Sequence, residues 1–412
     1  DGQSLDDLYP RDFITALDPP ERYFGTEKLF GIEPADPANP LPEEDGLDMI
    51  RTVPEEEIPL LQARSRAERE DFRPEMTDSL KDAVLYFLAC CAARRARGDS
   101  EKHMTMLVHT SAYVSEHVHL SALLSGWVSR HAGSIGSRTG SLGKHLEKLW
   151  LAEYESLPDS ITEARKIPIE EIFEYLPSVL DALEFPVENG PSDLRLNYDD
   201  QDRPRTYIVV GGTILARGLT LEGLIVSFFL RTANQYDTLL QMGRWFGYRI
   251  RYEDLPRIWM PDDLALRFRA LAGVEREIRD DIARYNIQKL SPMDLAVRIR
   301  AIPGMAITAP AKMRAARQCA VSYWGTHKQT FRFAHSDRDL MLRNWRAGTD
   351  LVDLLEKLEC RDQPAMERGI HLWREVPKSS IIAFLENYEP HPTHADLSPE
   401  MLIPFIRNRD AR

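Results

Sequence analysis

Two continuous apolar runs constrain the fold of this chain more than any other feature. Residues 207–210 form the first run, which ends at a glycine pair, and residues 224–230 form the second. Runs without alternating polar residues are typical of strands covered on both faces, as in a parallel sheet. Further strands are predicted at residues 104–108 and 257–260. The sequence therefore predicts an α/β domain with a mainly parallel sheet.

Helical periodicity surrounds these strands. Apolar residues recur at helical spacing from Met76 to Arg97, and another helix is predicted from about Ala112 to Trp127 with Thr110 or Ser111 as its N-cap. A later helix runs to about Phe246. Between these helices, the Gly/Ser-rich stretch 133–143 predicts a flexible linker.

Composition divides the chain into three regions. Residues 1–75 hold 20 acidic and 8 basic residues and many prolines, which predicts a connecting segment. Residues 76–262 carry the predicted sheet, and residues 263–412 are predicted to be mainly helical. The net charge of -13 argues against a protein covered with nucleic-acid-binding surface, but residues 264–331 hold 12 basic and 5 acidic residues. That region either faces a polyanion or solvates long helices.

The sequence gives no sign of membrane insertion or export. No apolar run approaches the roughly 20 residues that cross a bilayer, and residues 1–7 lack the features of a signal peptide. We therefore expect a cytoplasmic protein without a membrane partner. The four cysteines lack metal-ligand spacing, and the adjacent Cys90 and Cys91 lie in an apolar helical stretch, which favours buried thiols.

The loop after the first apolar run combines glycines with a cation, a hydroxyl and a carboxylate. Ligands of open parallel sheets bind at the carboxyl ends of strands, and glycine lets the backbone approach a phosphate closely. The alternative is a tight turn with surface polar residues. The candidate residues are Gly211, Gly212, Arg217, Gly218, Thr220 and Glu222.

A second candidate group follows the second run. Gln241 and Arg244 are three residues apart on the predicted helix and therefore share a face, and Arg249 lies just beyond. An arginine fork at the edge of a sheet suits a γ-phosphate. Alternatively, these arginines form surface ion pairs with Asp237, Glu253 or Asp254.

Two further sites suggest contact with a nucleic acid. Thr110 and Ser111 follow a predicted strand and precede a helix, where a backbone phosphate is favoured by the helix N-terminus. Arg314 and Arg317 lie in an irregular basic stretch that suits a DNA-contacting loop.

Together these segments resemble the fourth, fifth and sixth motifs of superfamily-two helicases, which lie in a second RecA-like domain. In finer detail, residues 7–14, 216–223 and 241–249 resemble the Z1 domain family of proposed endonucleases, with the resemblance running from Leu8 to about Phe333. The resemblance implies a RecA-like domain of helicase C-terminal type at residues 76–262. It also implies a bacterial restriction or defence protein that uses ATP and Mg²⁺ and acts on DNA.

Two departures from the helicase pattern stand out. Gly247 occupies the position of the second arginine of the sixth motif, which leaves open whether Arg244 or Arg249 is the arginine finger. The phosphate loop and Asp-Glu pair of a first RecA-like domain are missing, and Gly143-Lys144 lacks the glycine and hydroxyl that a phosphate loop needs. We therefore expect a fragment that binds no cofactor alone, does not hydrolyse ATP alone, and completes an ATP site with that missing domain.

Two other functions remain open. One is a non-catalytic interaction module that retains the RecA-like fold. The other is a metal-dependent nuclease with an unrecognised site, although no set of residues in the sequence has metal-ligand spacing.

Overall fold

The chain forms two compact units. A computed structural model describes residues 13–18, 20–32, 45–65, 67–111, 113–154, 156, 159–188, 196, 198, 205–212, 221–288, 302, 305–308, 333–334, 337–360, 371–391, 397 and 399–407. The first unit comprises residues 1–33 and 42–312, and the second comprises residues 34–41 and 313–412.

A parallel sheet forms the centre of the first unit. Its seven described strands are all paired in parallel, in the order β1-β7-β6-β2-β5-β3, with β4 also pairing with β5. The predicted α/β class with a mainly parallel sheet is confirmed. The strands are β1 (Ile50–Thr52), β2 (Met104–His109), β3 (Leu183–Glu184), β4 (Val187–Glu188), β5 (Thr206–Gly211), β6 (Leu224–Phe229) and β7 (Arg257–Met260).

The apolar runs form the strands because both faces of the sheet are covered. Every residue of β2, β5, β6 and β7 is buried. In β2, Met106 and Val108 point into one core, whereas Leu107 points into the other. β1 was not predicted as a strand. It lies inside the acidic stretch 1–75 and pairs with β7 along the edge of the sheet.

Helices cover the two faces of the sheet. One face packs against α3, α4, α5 and α6, and the other packs against α1, α7 and α8. A further short helix, α2, follows β1. The helices are α1 (Thr26–Phe30), α2 (Ile58–Leu61), α3 (Asp78–Ala96), α4 (Val114–Ile135), α5 (Ser141–Tyr154), α6 (Ile169–Asp181), α7 (Tyr236–Met242) and α8 (Asp262–Gln288).

The helix predicted from Met76 to Arg97 is α3. The Thr77 hydroxyl caps it by accepting a hydrogen bond from the backbone N–H of Leu80 at 3.4 Å. Cys90 and Cys91 are fully buried free thiols, as their apolar surroundings predict. Burial raises the pKa of both thiols because it penalises the thiolate.

Of the linker predicted at residues 133–143, only residues 136–140 lie between helices. α4 continues to Ile135, and α5 begins at Ser141, so Gly143 lies inside a helix. Small residues at this corner permit a close approach of the connecting residues to α5, since a Cβ atom on Gly143 would lie 1.9 Å from the Ser137 carbonyl oxygen. The glycine and serine content that resembles a linker is therefore a packing requirement.

Within its described part, the second unit consists of three helices: α9 (Arg338–Lys357), α10 (Lys378–Asn387) and α11 (Pro399–Arg407). Asp337 caps α9 by accepting from the backbone N–H of Leu340 at 2.9 Å. The Asn344 amide exchanges two hydrogen bonds with the backbone of Glu389 and ties α9 to the end of α10. Throughout the described chain, no helix combines the length and apolar character needed to cross a membrane.

Candidate functional site at the carboxyl edge of the sheet

Three adjacent strands end together at one edge of the sheet. Val108 of β2 pairs with Val210 of β5, and His109 of β2 pairs with Phe229 of β6. After β2 the chain enters α4, which packs on one face of the sheet, whereas after β6 it enters α7, which packs on the other. The carboxyl ends of β2 and β6 therefore flank a topological switch point, where open α/β sheets bind their ligands.

His109 occupies this switch point as a neutral side chain. Its Nε2 lies 3.2 Å from Nη1 of Arg231, which follows β6. A guanidinium only donates, so His109 Nε2 accepts and the ring proton resides on Nδ1. That Nδ1 is buried and has no hydrogen-bond partner among the described residues. Burial, followed by the charges of Arg231 and His117, lowers the pKa of His109 to about 3.

His117, on the first turns of α4, has the opposite tautomer. Its Nε2 is 3.0 Å from the Ser111 carbonyl oxygen, to which it must donate, so its Nδ1 carries the lone pair. This Nδ1 is also buried without a partner in the described part of the chain. Burial lowers the pKa of His117, the hydrogen bond to Ser111 opposes that change, and the charge of Arg231 adds to it.

Thr110 and Ser111 connect β2 to α4. Neither is the N-cap of α4, so that prediction is wrong. Tyr113 holds that position without a side-chain cap, and the Ser111 hydroxyl instead accepts from the Tyr113 N–H at 3.1 Å, closing a turn before the helix. The hydroxyl of Thr110, which is only 1% exposed, has no partner among the residues described.

Glu116 changes the electrostatics of this helix end. It lies in the first turn of α4, is buried, and has a carboxylate oxygen without a hydrogen bond to any described residue. A carboxylate already interacts favourably with the helix N-terminus at this position. An incoming anion therefore gains less from the helix dipole than the sequence alone predicts.

The structure describes only part of the glycine-led loop that follows β5. Gly211 and Gly212 are buried at the end of β5, beside the site. Arg217, Gly218 and Thr220 lie outside the described residues. Glu222 precedes β6 and therefore lies at the opposite, amino edge of the sheet, separated from the glycines by the length of a strand.

At that opposite edge, Glu222 contributes backbone groups. Its carbonyl oxygen accepts from the Thr105 hydroxyl at 2.7 Å, and its N–H donates to the Tyr198 hydroxyl at 3.1 Å. The structure therefore does not bring Glu222 together with the glycine pair.

The second candidate group, Gln241, Arg244 and Arg249, lies at and beyond the end of α7. Gln241 is exposed on the last turn of this helix, and Arg244 is half-buried just after it. Burial lowers the pKa of Arg244. The predicted sharing of one helix face does not persist to Arg244, because α7 ends at Met242.

Arg249 is engaged with the backbone of its own loop. Its guanidinium donates to the carbonyl oxygens of Tyr248 at 2.7 Å, Trp245 at 3.0 Å and Arg244 at 3.5 Å, and it is 9% exposed. Burial is the main cause that lowers its pKa. This arginine braces residues 244–248.

Gly247 has a backbone conformation that favours glycine. Its φ of 134° is strained for any other residue, and its backbone pairs with Phe24 through two hydrogen bonds of 3.0 and 3.1 Å. An arginine side chain is therefore disfavoured at this position.

Several expected or possible ligands cannot be placed. Arg314 and Arg317 lie outside the described residues. In the part of the chain that the structure covers, no three His, Cys, Asp or Glu side chains are grouped so that they could hold a metal ion.

Four residues of this site were not predicted from the sequence: His109, Glu116, His117 and Arg231. Their signal was present, since His109 and Arg231 directly terminate or follow apolar runs that form neighbouring strands. Strand order was needed to recognise that these two ends meet.

The fold and this edge define an α/β protein of the open parallel-sheet class with a polar site at its switch point. A family model, that of the Z1 domain, matches residues 79–306, which is more than half of the chain. The chain therefore belongs to the Z1 domain family. Comparisons with curated proteins and with solved structures gave no significant match.

Proposed function

We propose that this chain is the second half of an ATP-dependent DNA motor of helicase or translocase type, within a bacterial restriction or defence protein. One observation carries the proposal: Thr110-Ser111 and Gly211-Gly212, the starts of two motifs far apart in sequence, emerge side by side from the paired strands β2 and β5. In a parallel sheet this is the edge at which a ligand binds.

On the DNA side, Thr110 and Ser111 contact the phosphate backbone. The Thr110 hydroxyl is buried without a partner among the described residues, and such a group costs about 1–3 kcal/mol unless something binds it. Because Glu116 already balances the helix N-terminus, the phosphate contact depends on hydroxyl donors and on the nearby Arg231. Arg217, Gly218 and Thr220 would couple this contact to ATP. Arg314 and Arg317, in the second unit, would also contact DNA.

On the ATP side, Arg244 is the better finger. Arg249 is buried and already donates to three carbonyl oxygens, so its guanidinium is committed to the loop. Arg244 is only half-buried and belongs to the loop that Arg249 braces. Gln241 lies one turn before it and is exposed. A phosphate loop and Mg²⁺ ligands from another domain would complete the site. The complete site would transfer the γ-phosphoryl group of ATP to water.

The deciding experiment measures ATP hydrolysis by the full-length gene product, with and without DNA. Arg244→Ala is expected to abolish DNA-stimulated hydrolysis, with a loss of about 10³-fold or more, while leaving the fold intact. Thr110→Val is expected to weaken the DNA stimulation and leave basal hydrolysis unchanged. Hydrolysis that is absent in the wild type, or insensitive to both substitutions, would refute the motor.

The alternative of a non-catalytic interaction module is supported by one feature of the second unit. On α9, Trp345 is 73% exposed, and Leu342 and Val352 are also exposed. Exposed large apolar side chains on one helix are typical of a binding surface. Partner binding that is independent of ATP and DNA would favour this function, and metal-dependent cleavage of DNA would favour a nuclease.

A further inference from the structure

We propose that Tyr113, with Arg69 stacked on its ring, is a platform that binds a base of single-stranded nucleic acid beside Thr110 and Ser111. This inference rests on the proposed nucleic-acid function and adds a substrate preference to it. Neither residue belongs to the motifs that the sequence identifies.

The platform is built before any ligand binds. Tyr113 is the N-cap residue of α4 and is 40% exposed, and the Arg69 guanidinium carbon lies 3.2 Å from the centroid of its ring. An arginine in this position holds an aromatic ring by cation–π attraction. Because the guanidinium covers one face, a planar ligand stacks on the remaining exposed part of the pair.

The charge of Arg69 is not neutralised by a described acidic side chain. Arg69 forms no ion pair within the described residues, and its Nε is buried there without a hydrogen-bond partner. A buried N–H group without an acceptor costs free energy that the cation–π contact does not itself offset. A phosphate or a base carbonyl oxygen would supply the missing partner.

The surroundings extend the same chemistry. Val114 and Val118 are exposed on α4 next to Tyr113. Arg73 is exposed, donates to two backbone carbonyl oxygens, and lies 3.4 Å from Nδ1 of His119. Apolar area edged by arginines suits a base with its phosphate.

The platform adjoins the candidate site. The Tyr113 N–H donates to the Ser111 hydroxyl, so a base on Tyr113 and a phosphate at Thr110 or Ser111 fall within the span of neighbouring nucleotides. In a duplex the faces of the bases are already stacked on one another. Only an unpaired base offers its face to Tyr113, so single strands are the preferred substrate.

The test compares three fluorescein-labelled ligands by anisotropy with the full-length protein: a short oligothymidylate, an abasic backbone of equal length, and a duplex. We expect Tyr113→Ala to weaken oligothymidylate binding about tenfold and to leave abasic and duplex binding unchanged. Tyr113→Phe, the matched control, keeps the ring and should bind oligothymidylate within about twofold of wild type.

The other outcomes of this test decide between the platform and the proposed DNA function. Equal losses for the oligothymidylate and the abasic backbone, or no loss on Tyr113→Ala, would overturn the platform and leave the proposed DNA function standing. Wild-type protein that binds none of the three ligands would overturn both. Thermal unfolding of Tyr113→Ala distinguishes a lost contact from a lost fold.

Discussion

Arg257 of β7 donates a hydrogen bond from Nε to the Glu153 carboxylate of α5 at 2.6 Å, and both side chains are buried. Arg51 of β1 donates from Nε to the other carboxylate oxygen at 2.5 Å. One carboxylate from a helix therefore joins the edge strand β1 to its neighbour β7. We expect Glu153→Gln to lower the free energy of unfolding by about 3 kcal/mol, because it leaves the buried Arg257 guanidinium without a countercharge, whereas Arg51 keeps its ion pair with Asp48.

The same residue makes stability depend on pH. Burial raises the pKa of Glu153, but hydrogen bonds and charges from Arg51 and Arg257 outweigh it and lower the pKa below its ordinary value. The stabilisation is therefore present above the unfolded-state pKa of about 4.3 and is lost as pH falls through the folded-state pKa. Urea unfolding against pH checks this. Glu171→Gln, at a solvent-screened ion pair with Arg165, is the control and should change stability far less.

His109 should control stability at higher pH. Its pKa is lowered to about 3 in the folded state, whereas an unfolded histidine titrates near 6.5. The unfolded chain therefore binds an extra proton as pH falls below about 6.5, and stability declines down to about pH 3. We expect His109→Gln to flatten this part of the stability profile. An unchanged slope would mean that His109 is protonated in the fold.

Gly143 should tolerate no side chain. A Cβ atom there would lie 1.9 Å from the Ser137 carbonyl oxygen, so Gly143→Ala must displace backbone and is expected to cost more than about 2 kcal/mol. Gly133, in α4, has open space around its Cα, and Gly133→Ala should stabilise by about 0.5–1 kcal/mol. If neither substitution changed the thermal unfolding temperature, Gly143 would not be closely packed, and the linker prediction would stand.

Thr110→Val separates binding from stability. The buried hydroxyl has no partner in the described structure, so its removal should raise the free energy of unfolding by about 1 kcal/mol. The same substitution should weaken DNA binding, because it removes a donor from the switch point. A variant that loses stability instead would show that the hydroxyl is hydrogen-bonded within the protein.

Arg249 and Arg244 should differ in how much each contributes to the free energy of unfolding. Arg249→Lys removes the planar fork that reaches three carbonyl oxygens and is expected to cost about 1–3 kcal/mol of stability. Arg244→Ala should cost under about 1 kcal/mol, since this residue is only half-buried. Chemical unfolding of both variants checks this. The reverse order would make Arg249 the finger and Arg244 the brace.

Local pattern was enough to predict the elements and the class of the sheet. The strands β2, β5, β6 and β7 lie where continuous apolar runs occur, since strands buried on both faces are mostly apolar along their length. α3 lies where apolar residues recur at helical spacing. Burial of a strand or helix leaves its mark within the element itself, so a single segment suffices to recognise it.

Only the tertiary structure determined which distant residues come into contact. β1 joins the sheet through pairing with β7, although Arg51 and Trp259 are more than half of the chain apart. His109 and Arg231 meet only because β2 and β6 are neighbours, and Glu222 is separated from Gly211 only because β6 begins at the opposite edge. Such contacts depend on strand order, which is set by the packing of the whole sheet. No local pattern records it.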